Sequence, residues 1–278
     1  MKTLRRLTLL ALICAASTLS FAQQPNYQGL WWGGPSEGGW NISFSHQDDI
    51  VFALWATYDE AGKATWFSMT APQSGPDTFS GTLYKTHYDP IRTDGPRVSA
   101  TEVGSATLVF ASTGTGTFSY RVGGVERSKP IMRFVSTPAA CVFNPVADPT
   151  LWKNYTDIWW ADPAGSDPGW AVAISYMPDL MIITLFTYNS DGSPTWFFGS
   201  AAGVYGDYDA NLYRLTGPSY LAPTFDPNSV KYVDGGYVEV EQGYGNTLWL
   251  FGGGFGLPDT SSRKLARFVF RGKGTSCE

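Results

Sequence analysis

The chain has 278 residues, of which 43% are hydrophobic and 15% aromatic, and its formal net charge is −5. This aromatic content excludes a disordered polar chain, and the glycines have no collagen-like period. Nucleic-acid-binding proteins carry a basic face against the phosphates, so the acidic balance disfavours a nucleic-acid partner. The length accommodates one large domain or two small ones.

Residues 1–22 have the pattern of a secretory signal peptide. A basic start is followed by an apolar run from Leu7 to Ala16 and by small residues at Ser20 and Ala22. No later apolar run reaches the ~18 residues that a membrane-spanning helix needs. We therefore expect a secreted or periplasmic protein with no transmembrane segment after cleavage.

Cleavage of this leader leaves two cysteines, Cys141 and Cys277. In an exported protein two cysteines suggest one disulfide, and free thiols are the alternative in a reducing compartment. A bridge that closes so long a loop stabilises by roughly 4 to 5 kcal/mol in the loop-entropy model. The leader favours the disulfide.

The chain contains an internal repeat. Trp31-Trp32 returns as Trp159-Trp160. The acid Glu37, three places before Trp40, returns as Asp167, three places before Trp170. Further matched positions are Tyr58 with Tyr188, Trp66 with Trp196, Lys85 with Arg214, and Arg133 with Arg267.

The repeat predicts two homologous modules, at 29–135 and 157–269. A lead-in at 23–28 precedes the first module and a tail at 270–278 follows the second. The proline-rich stretch 136–156 between them has the composition of a linker. We expect the disulfide to join the ends of the two modules.

Each module has the pattern of antiparallel strands. Trp40, Ile42 and Phe44 alternate with polar residues, a period of two with one apolar face. Glycines in turns such as Asp59-Glu60-Ala61-Gly62 separate hairpin strands. The predicted fold class is all-β, with about eight strands per module in an up-and-down barrel, and a β-sandwich is the alternative.

Two residues favour the barrel. Gly29-Leu30-Trp31 opens the first module and Arg133 lies in its last strand. This resembles the calycin pattern of lipocalins and avidin-like proteins, which implies that a first-strand Trp packs beneath an Arg of the final strand. The contact is worth roughly 0.5 to 2 kcal/mol. The second module keeps Trp159 and Arg267 but has Asp157 where the first has Gly29.

The repeat as a whole also resembles an aromatic-rich module of exported Gram-negative bacterial proteins. The resemblance begins at Leu30-Trp31-Trp32, continues to Gly39-Trp40 and covers nearly all of the chain after the leader. It implies export and a β module, and it brings no settled activity.

Catalytic motifs are weak in this sequence. Gly34-Pro35-Ser36-Glu37-Gly38 matches the nucleophile-elbow string, but a strand follows where an elbow requires a helix, which indicates a loop serine. His46 and His87 have no partner at metal-ligand spacing. We expect no cofactor and no metal site, and an enzyme is the less favoured reading.

Calcium binding remains open at one segment. Asp207, Asp209 and Asn211 have the spacing that opens a calcium loop, but Leu212 replaces the expected glycine.

The apolar runs beginning at Ile50 and Leu180 are apolar on both faces. A strand in a barrel wall needs only its inward face to be apolar. The apolar outward face must therefore contact a partner, either the second module or another surface. We expect the outward side chains to be Val51, Trp55, Met181, Ile183 and Leu185.

The favoured function is a non-catalytic exported protein that binds a small apolar or aromatic ligand or a partner surface. The ligand enters a barrel mouth ringed by side chains repeated in both modules. They are Glu37, Trp40, Tyr58 and Trp66 in the first module and Asp167, Trp170, Tyr188 and Trp196 in the second.

Two other functions stay open. A carbohydrate-binding or adhesion module would use Trp32 and Trp160 as exposed platforms for sugar rings, because neighbours on a strand face opposite ways and Trp31 and Trp159 fill the barrels. A secreted hydrolase would use Ser36 or paired acids, and Glu37 and Asp167 are the acids repeated in register.

Overall fold

The computed structural model describes most of the two modules. The predicted leader at 1–22 lies outside the described residues, as does much of the predicted linker at 136–156. The described residues are 25–135, 141–144, 154–166, 168–177, 180–204, 207–243, 247–254 and 262–277.

Eight strands of the first module form a closed antiparallel barrel in which each strand pairs with the next and the last pairs with the first. A short 3-10 turn at Pro35–Glu37 separates the first two strands. The strands are β1 Gly29–Trp32, β2 Asn41–Gln47, β3 Ile50–Tyr58, β4 Ala64–Gly75, β5 Thr78–Tyr88, β6 Val98–Phe110, β7 Thr115–Val122 and β8 Val125–Arg133.

The second module repeats this closed barrel with the same strand order. Strand β9, Cys141–Phe143, comes between the barrels and pairs with the last strand, β18, Thr275–Cys277. The barrel strands are β10 Asp157–Ala161, β11 Ala171–Met177, β12 Leu180–Tyr188, β13 Pro194–Val204, β14 Asp207–Thr216, β15 Lys231–Gln242, β16 Thr247–Gly253 and β17 Arg263–Arg267. The predicted all-β fold of two tandem eight-stranded barrels is confirmed.

A tryptophan and an arginine meet where each barrel closes. Trp31 of β1 lies opposite Arg133 of β8, and the guanidinium carbon lies 5.1 Å from the indole centroid. In the second barrel the same distance, from Arg267 to Trp159, is 4.5 Å. Asp157, the departure from the first module, forms a buried ion pair with Arg267 at 3.4 Å.

The disulfide between Cys141 and Cys277 is present, which confirms that prediction. It links β9 to β18, where the two cysteines lie directly opposite each other. Thr275 donates a hydrogen bond to the carbonyl of His46 in the first barrel, and Asn154 forms a bridge with Cys277. The C-terminal tail is thereby fixed to both modules.

The expected outward face of the two apolar strands is wrong. Val51 and Trp55 point into the first barrel, and Met181, Ile183 and Leu185 point into the second. Because β3 and β12 are apolar on both faces, the alternation of residue types does not show which face of each strand points into the barrel. The outward side chains are instead Phe52, Leu54, Ala56 and Tyr58 on β3, and Ile182, Thr184, Phe186 and Tyr188 on β12.

The two barrels pack against each other through a third apolar core that lies between them. Trp66 of β4 and Trp196 of β13 are buried there. Polar contacts also cross the interface, and the Ser175 hydroxyl accepts a hydrogen bond of 2.9 Å from the backbone N–H of Leu30. The apolar outward faces of β3 and β12 are therefore covered by the partner module.

Candidate functional site

Two of the predicted ligand-contacting residues meet at one end of the first barrel, which we call the first mouth and define by Trp40, Tyr120 and Lys129. Trp40 donates from its indole N–H to the Glu37 carboxylate at 3.3 Å. Lys129 forms an ion pair with the same carboxylate at 2.7 Å, with its ammonium 5.6 Å from the Trp40 ring centroid. The sequence analysis did not identify Lys129. The signal was its spacing on β8: Lys129, Ile131 and Arg133 are two residues apart and therefore share the inward face of the strand.

The structure places the four other predicted aromatic residues between the barrels rather than at a mouth: Tyr58, Trp66, Tyr188 and Trp196. The reason is strand alternation. Phe67 points into the first barrel, so its neighbour Trp66 must point out. The sequence signal was the adjacent aromatic pair Trp66-Phe67: neighbours on a strand face opposite ways, so one ring must lie inside the barrel and the other outside it.

A segment of the second module enters the first mouth. It is the connection 217–230 between β14 and β15, which contains the 3-10 turn Pro227–Ser229. The Tyr220 ring centroid lies 5.1 Å from that of Phe67 and 6.0 Å from that of Trp55. The Tyr120 hydroxyl donates to the carbonyl of Tyr220 at 2.5 Å.

Further contacts hold this segment, 217–230, in place. Arg127 of β8 donates to the carbonyl oxygens of Leu221 and Ala222 at 2.6 and 3.0 Å. The Phe225 ring lies 5.6 Å from the Lys129 ammonium. The first mouth is therefore filled by rings of the protein's own chain.

The matching end of the second barrel, the second mouth, is defined by Trp170, Arg214 and Arg263. The reciprocal connection from the first module, 89–97 between β5 and β6, is shorter than 217–230. Its one large apolar residue, Ile91, is 86% exposed. The connection itself, all of which the structure describes, contains no aromatic residue. The first module does place the ring of Tyr88, the last residue of β5, next to Gly169 and stacked on the Tyr188 ring at 5.5 Å.

The interior near the second mouth also carries smaller side chains. Leu185 occupies the position that Trp55 has in the first barrel. Trp55 lies opposite Ile42 of β2, and Leu185 lies opposite Val172, the equivalent residue of β11. By the same register Gly252 replaces Tyr120, and Gly199 replaces Met69. Barrel width depends on strand number and shear, and both barrels have eight strands, so the exchanges reduce the filling of the second mouth.

Two arginines lie on the inward face at the second mouth. Arg214 follows Leu212 on the interior side of β14, and its guanidinium carbon lies 5.1 Å from the Phe197 ring centroid. Arg263 lies on the interior side of β17, 4.9 Å from the Trp170 ring centroid. Burial lowers the pKa of Arg263, and the nearby phenol of Tyr88 acts in the opposite direction.

The predicted surface platforms, Trp32 and Trp160, are half-buried. The Trp32 ring centroid lies 5.2 Å from that of Phe134, and that of Trp160 lies 4.8 Å from that of Phe268. Each indole is therefore partly covered by a phenylalanine of its own module.

Other candidate residues are separated in the fold. Ser36 lies in the 3-10 turn before β2, and Asp167 lies outside the described residues. Asp207 and Asp209 lie on the extended strand β14 rather than in a loop. In the part of the chain that the structure describes, no group of three or more His, Cys, Asp or Glu side chains is placed to hold a metal ion.

A second concavity, of about 580 Å³, lies at the opposite end of the first barrel. Its carboxylates already have partners within the chain. Arg271 pairs with Asp49 at 2.7 Å and with Asp48 at 3.6 Å, and the Tyr27 hydroxyl donates to Asp77 at 2.6 Å. The charged groups of this concavity are therefore engaged within the chain.

The fold defines the class of protein: a tandem pair of closed eight-stranded antiparallel barrels, joined by a disulfide-linked pair of strands. Comparison of the chain with protein-family models, with curated proteins and with solved structures found no match. Among the described residues, no helix has the length and apolar character to cross a membrane.

Proposed function

We propose that the protein is an exported, non-catalytic binding protein that holds a small apolar or aromatic ligand in the second mouth. The difference between the two mouths carries this proposal. Rings of the chain itself fill the first mouth, whereas the matching positions of the second mouth carry smaller residues, Leu185 and Gly252. Export rests on the signal-peptide pattern at 1–22.

The first mouth indicates what kind of occupant this scaffold accepts. Tyr220 packs edge-on against Phe67, at an interplanar angle of 88°. Phe197 holds the position of Phe67 in the second barrel, and Trp170 holds that of Trp40. Small-molecule sites are mostly apolar with a few placed polar groups, and edge-to-face ring pairs add about 0.5 to 1.5 kcal/mol beyond area burial. An aromatic ligand in the second mouth would thus have Phe197 to pack against edge-on, as Tyr220 packs against Phe67.

The proposal is tested by substituting residues of the second mouth with the larger aromatic residues found at the equivalent positions of the first mouth. The neutral fluorescent probe N-phenyl-1-naphthylamine is titrated into the whole exported protein, and we expect saturable binding of one probe per chain. The double variant Leu185→Trp, Gly252→Tyr should lose this binding because its new rings occupy the site. Circular dichroism should report the same strand content for both proteins.

A matched control adds bulk outside the barrels. Val109 is 45% exposed, so Val109→Trp should bind the probe as the unmodified protein does. The proposal fails if the unmodified protein does not bind, or if the double variant folds and binds equally well.

A further inference from the structure

We infer that the concavity at the end of the first barrel opposite the first mouth binds a primary ammonium ion with an apolar body, and that Asp77 is its counter-ion. We call this site the basal concavity. Its volume of about 580 Å³ lies within the range of roughly 300 to 1,000 Å³ that is usual for small-molecule sites. The inference is independent of the proposed function, since it concerns another barrel and another ligand chemistry. The lining residues that carry it are Tyr27, His46, Asp77, Phe79, Val142 and Phe143.

Aromatic and apolar side chains form the walls of the basal concavity. The Tyr27 ring stacks on that of His46, with their centroids 5.4 Å apart, and Phe79 packs edge-on against both, at 5.9 and 5.2 Å. Val142 and Phe143 of β9 line the site as well. The disulfide and the pairing with β18 hold β9 in place. The apolar body of a ligand therefore meets a pre-formed surface.

Asp77 is the carboxylate of the basal concavity that forms no ion pair among the described residues. Its Oδ1 accepts a hydrogen bond of 2.6 Å from the Tyr27 hydroxyl. Burial and the Asp77 carboxylate raise the pKa of Tyr27, so this hydroxyl is a neutral donor. Asp48 and Asp49, by contrast, both pair with Arg271. The charge of Asp77 is therefore hydrogen-bonded but not balanced.

The positive groups near Tyr27 do not enter the basal concavity. Burial lowers the pKa of His46 to about 4, so its ring is neutral at pH 7. Arg133 stacks on Trp31 and donates to three backbone carbonyls. No lysine or arginine is among the described residues that line the site. A cationic ligand therefore meets no positive side chain on the walls.

The geometry at Asp77 selects an ammonium group. A guanidinium pairs best with both oxygens of a carboxylate, but the Tyr27 hydroxyl already occupies Oδ1. An ammonium is a compact cation that can donate to Oδ2 alone. A metal ion needs several ligands, and the described residues contain no group of three or more His, Cys, Asp or Glu placed to hold one. Because Asp77 is half-buried, water is partly excluded and the charge-assisted bond is strengthened.

The second barrel has no carboxylate at the position of Asp77. The sequence offset that aligns Phe79 with Tyr208 aligns Asp77 with Gly206, which lies outside the described residues. Within the second barrel the Tyr208 hydroxyl donates to that of Tyr176 at 3.2 Å. A barrel of this kind therefore closes without a carboxylate at this position, so the fold does not account for the charge of Asp77.

Two ligands of similar shape and different charge test the inference. 2-Naphthylmethylammonium and 2-naphthalenemethanol are titrated calorimetrically into the whole exported protein, with N-phenyl-1-naphthylamine present in excess to occupy the second mouth. We expect one ammonium ion to bind per chain, at least about tenfold more tightly than the alcohol. Asp77→Asn should remove most of this preference without weakening the alcohol.

Asp77→Asn removes the charge and little else. The amide oxygen can still accept from the Tyr27 hydroxyl, and asparagine tolerates the positive φ of 50° at this position. Glu126→Gln is the matched control. Glu126 is an exposed carboxylate of the same barrel that pairs with Arg121, so its loss should leave the preference unchanged.

A second variant tests where the ligands bind. Val142→Trp adds bulk to the wall of the basal concavity and should weaken the ammonium ion and the alcohol alike. Thermal unfolding identifies any variant that does not fold, and the other variant then decides together with the preference of the unmodified protein.

Equal affinity of the unmodified protein for the two ligands overturns the inference. A preference that survives in folded Asp77→Asn, or binding that is unchanged in folded Val142→Trp, also overturns it. If N-phenyl-1-naphthylamine does not bind but the ammonium ion does, the proposed function fails and the inference about the basal concavity stands.

Discussion

Trp66 and Trp196 occupy equivalent positions in the two modules and form reciprocal hydrogen bonds across the interface between the barrels. The indole N–H of Trp66 donates to the carbonyl of Thr187 at 2.9 Å, and that of Trp196 donates to the carbonyl of Thr57 at 2.8 Å. Each barrel therefore satisfies a buried carbonyl of the other. The duplicated module is adapted to pairing with its own copy, which explains why β3 and β12 are apolar on both faces.

Removing one of these indole N–H groups should destabilise the protein. In Trp66→Phe or Trp196→Phe a buried carbonyl loses its donor, and we expect the free energy of unfolding to fall by about 1 to 3 kcal/mol in each case. Urea unfolding followed by circular dichroism measures the loss. Trp32→Phe is the matched control, because its buried N–H has no partner among the described residues. A loss in the control as large as in the other two variants would contradict this account.

His46 should make stability depend on pH. Its Nδ1 accepts the Tyr27 backbone N–H at 3.1 Å, and its Nε2 lies 3.0 Å from the Asp48 carbonyl, so the ring is held neutral. Burial lowers the pKa of His46 to about 4. The unfolded state, with a pKa of about 6.5, binds the proton first, so His46 costs stability as the pH falls from about 6.5 to 4.

The measurement is the difference in free energy of unfolding between the unmodified protein and His46→Gln across pH 4 to 8. We expect this difference to be constant above pH ~6.5 and to move against the unmodified protein by about 3 kcal/mol at pH ~4. Parallel curves over the whole range would exclude the effect.

Tyr220→Ala should open the first mouth. Because the ring is only partly buried, we expect a loss of about 1 to 3 kcal/mol in the free energy of unfolding, less than for a fully buried aromatic residue. The opened site should also bind N-phenyl-1-naphthylamine, which raises the stoichiometry from one probe per chain to two. Tyr232→Ala is the control, since Tyr232 is 70% exposed. An unchanged stoichiometry in a folded Tyr220→Ala protein would count against the second mouth as well as the first.

The disulfide should contribute strongly to stability. Cys141 and Cys277 are 136 residues apart, and in the loop-entropy model such a link stabilises by roughly 4 to 5 kcal/mol. The Cys141→Ser, Cys277→Ser double variant should therefore unfold at a much lower urea concentration. Reduction of the unmodified protein should shift its midpoint to a similar value. A midpoint that neither treatment changes would refute the contribution.

The barrels could be predicted because their signals are local. Period-two alternation, as at Trp40, Ile42 and Phe44, specifies a strand with one apolar face. The duplication then repeats the whole pattern, and because Cys14 lies in the predicted leader, Cys141 and Cys277 leave one possible disulfide. The calycin resemblance implied the stacking of Arg133 on Trp31, and the structure has that contact at 5.1 Å.

The candidate site was only partly accessible from sequence. Glu37 and Trp40 do meet at a mouth, but Trp66 and Trp196 face the other barrel. A strand with apolar residues on both sides does not reveal which side is the interior, because a shift of one residue exchanges the two faces. The register of β4 and β13 against their neighbouring strands made that choice.

The sequence by itself determined the repeat, the strand-rich modules and the cysteine partners, since each follows from a residue pattern along the chain, and the calycin resemblance implied the closing pairs. Only the tertiary structure decided which mouth is filled. Residues 217–230 of the second module reach the first barrel, where Tyr220 contacts Trp55 and Phe67. Contacts between residues so far apart in sequence depend on how the two barrels pack, and no local pattern specifies that arrangement.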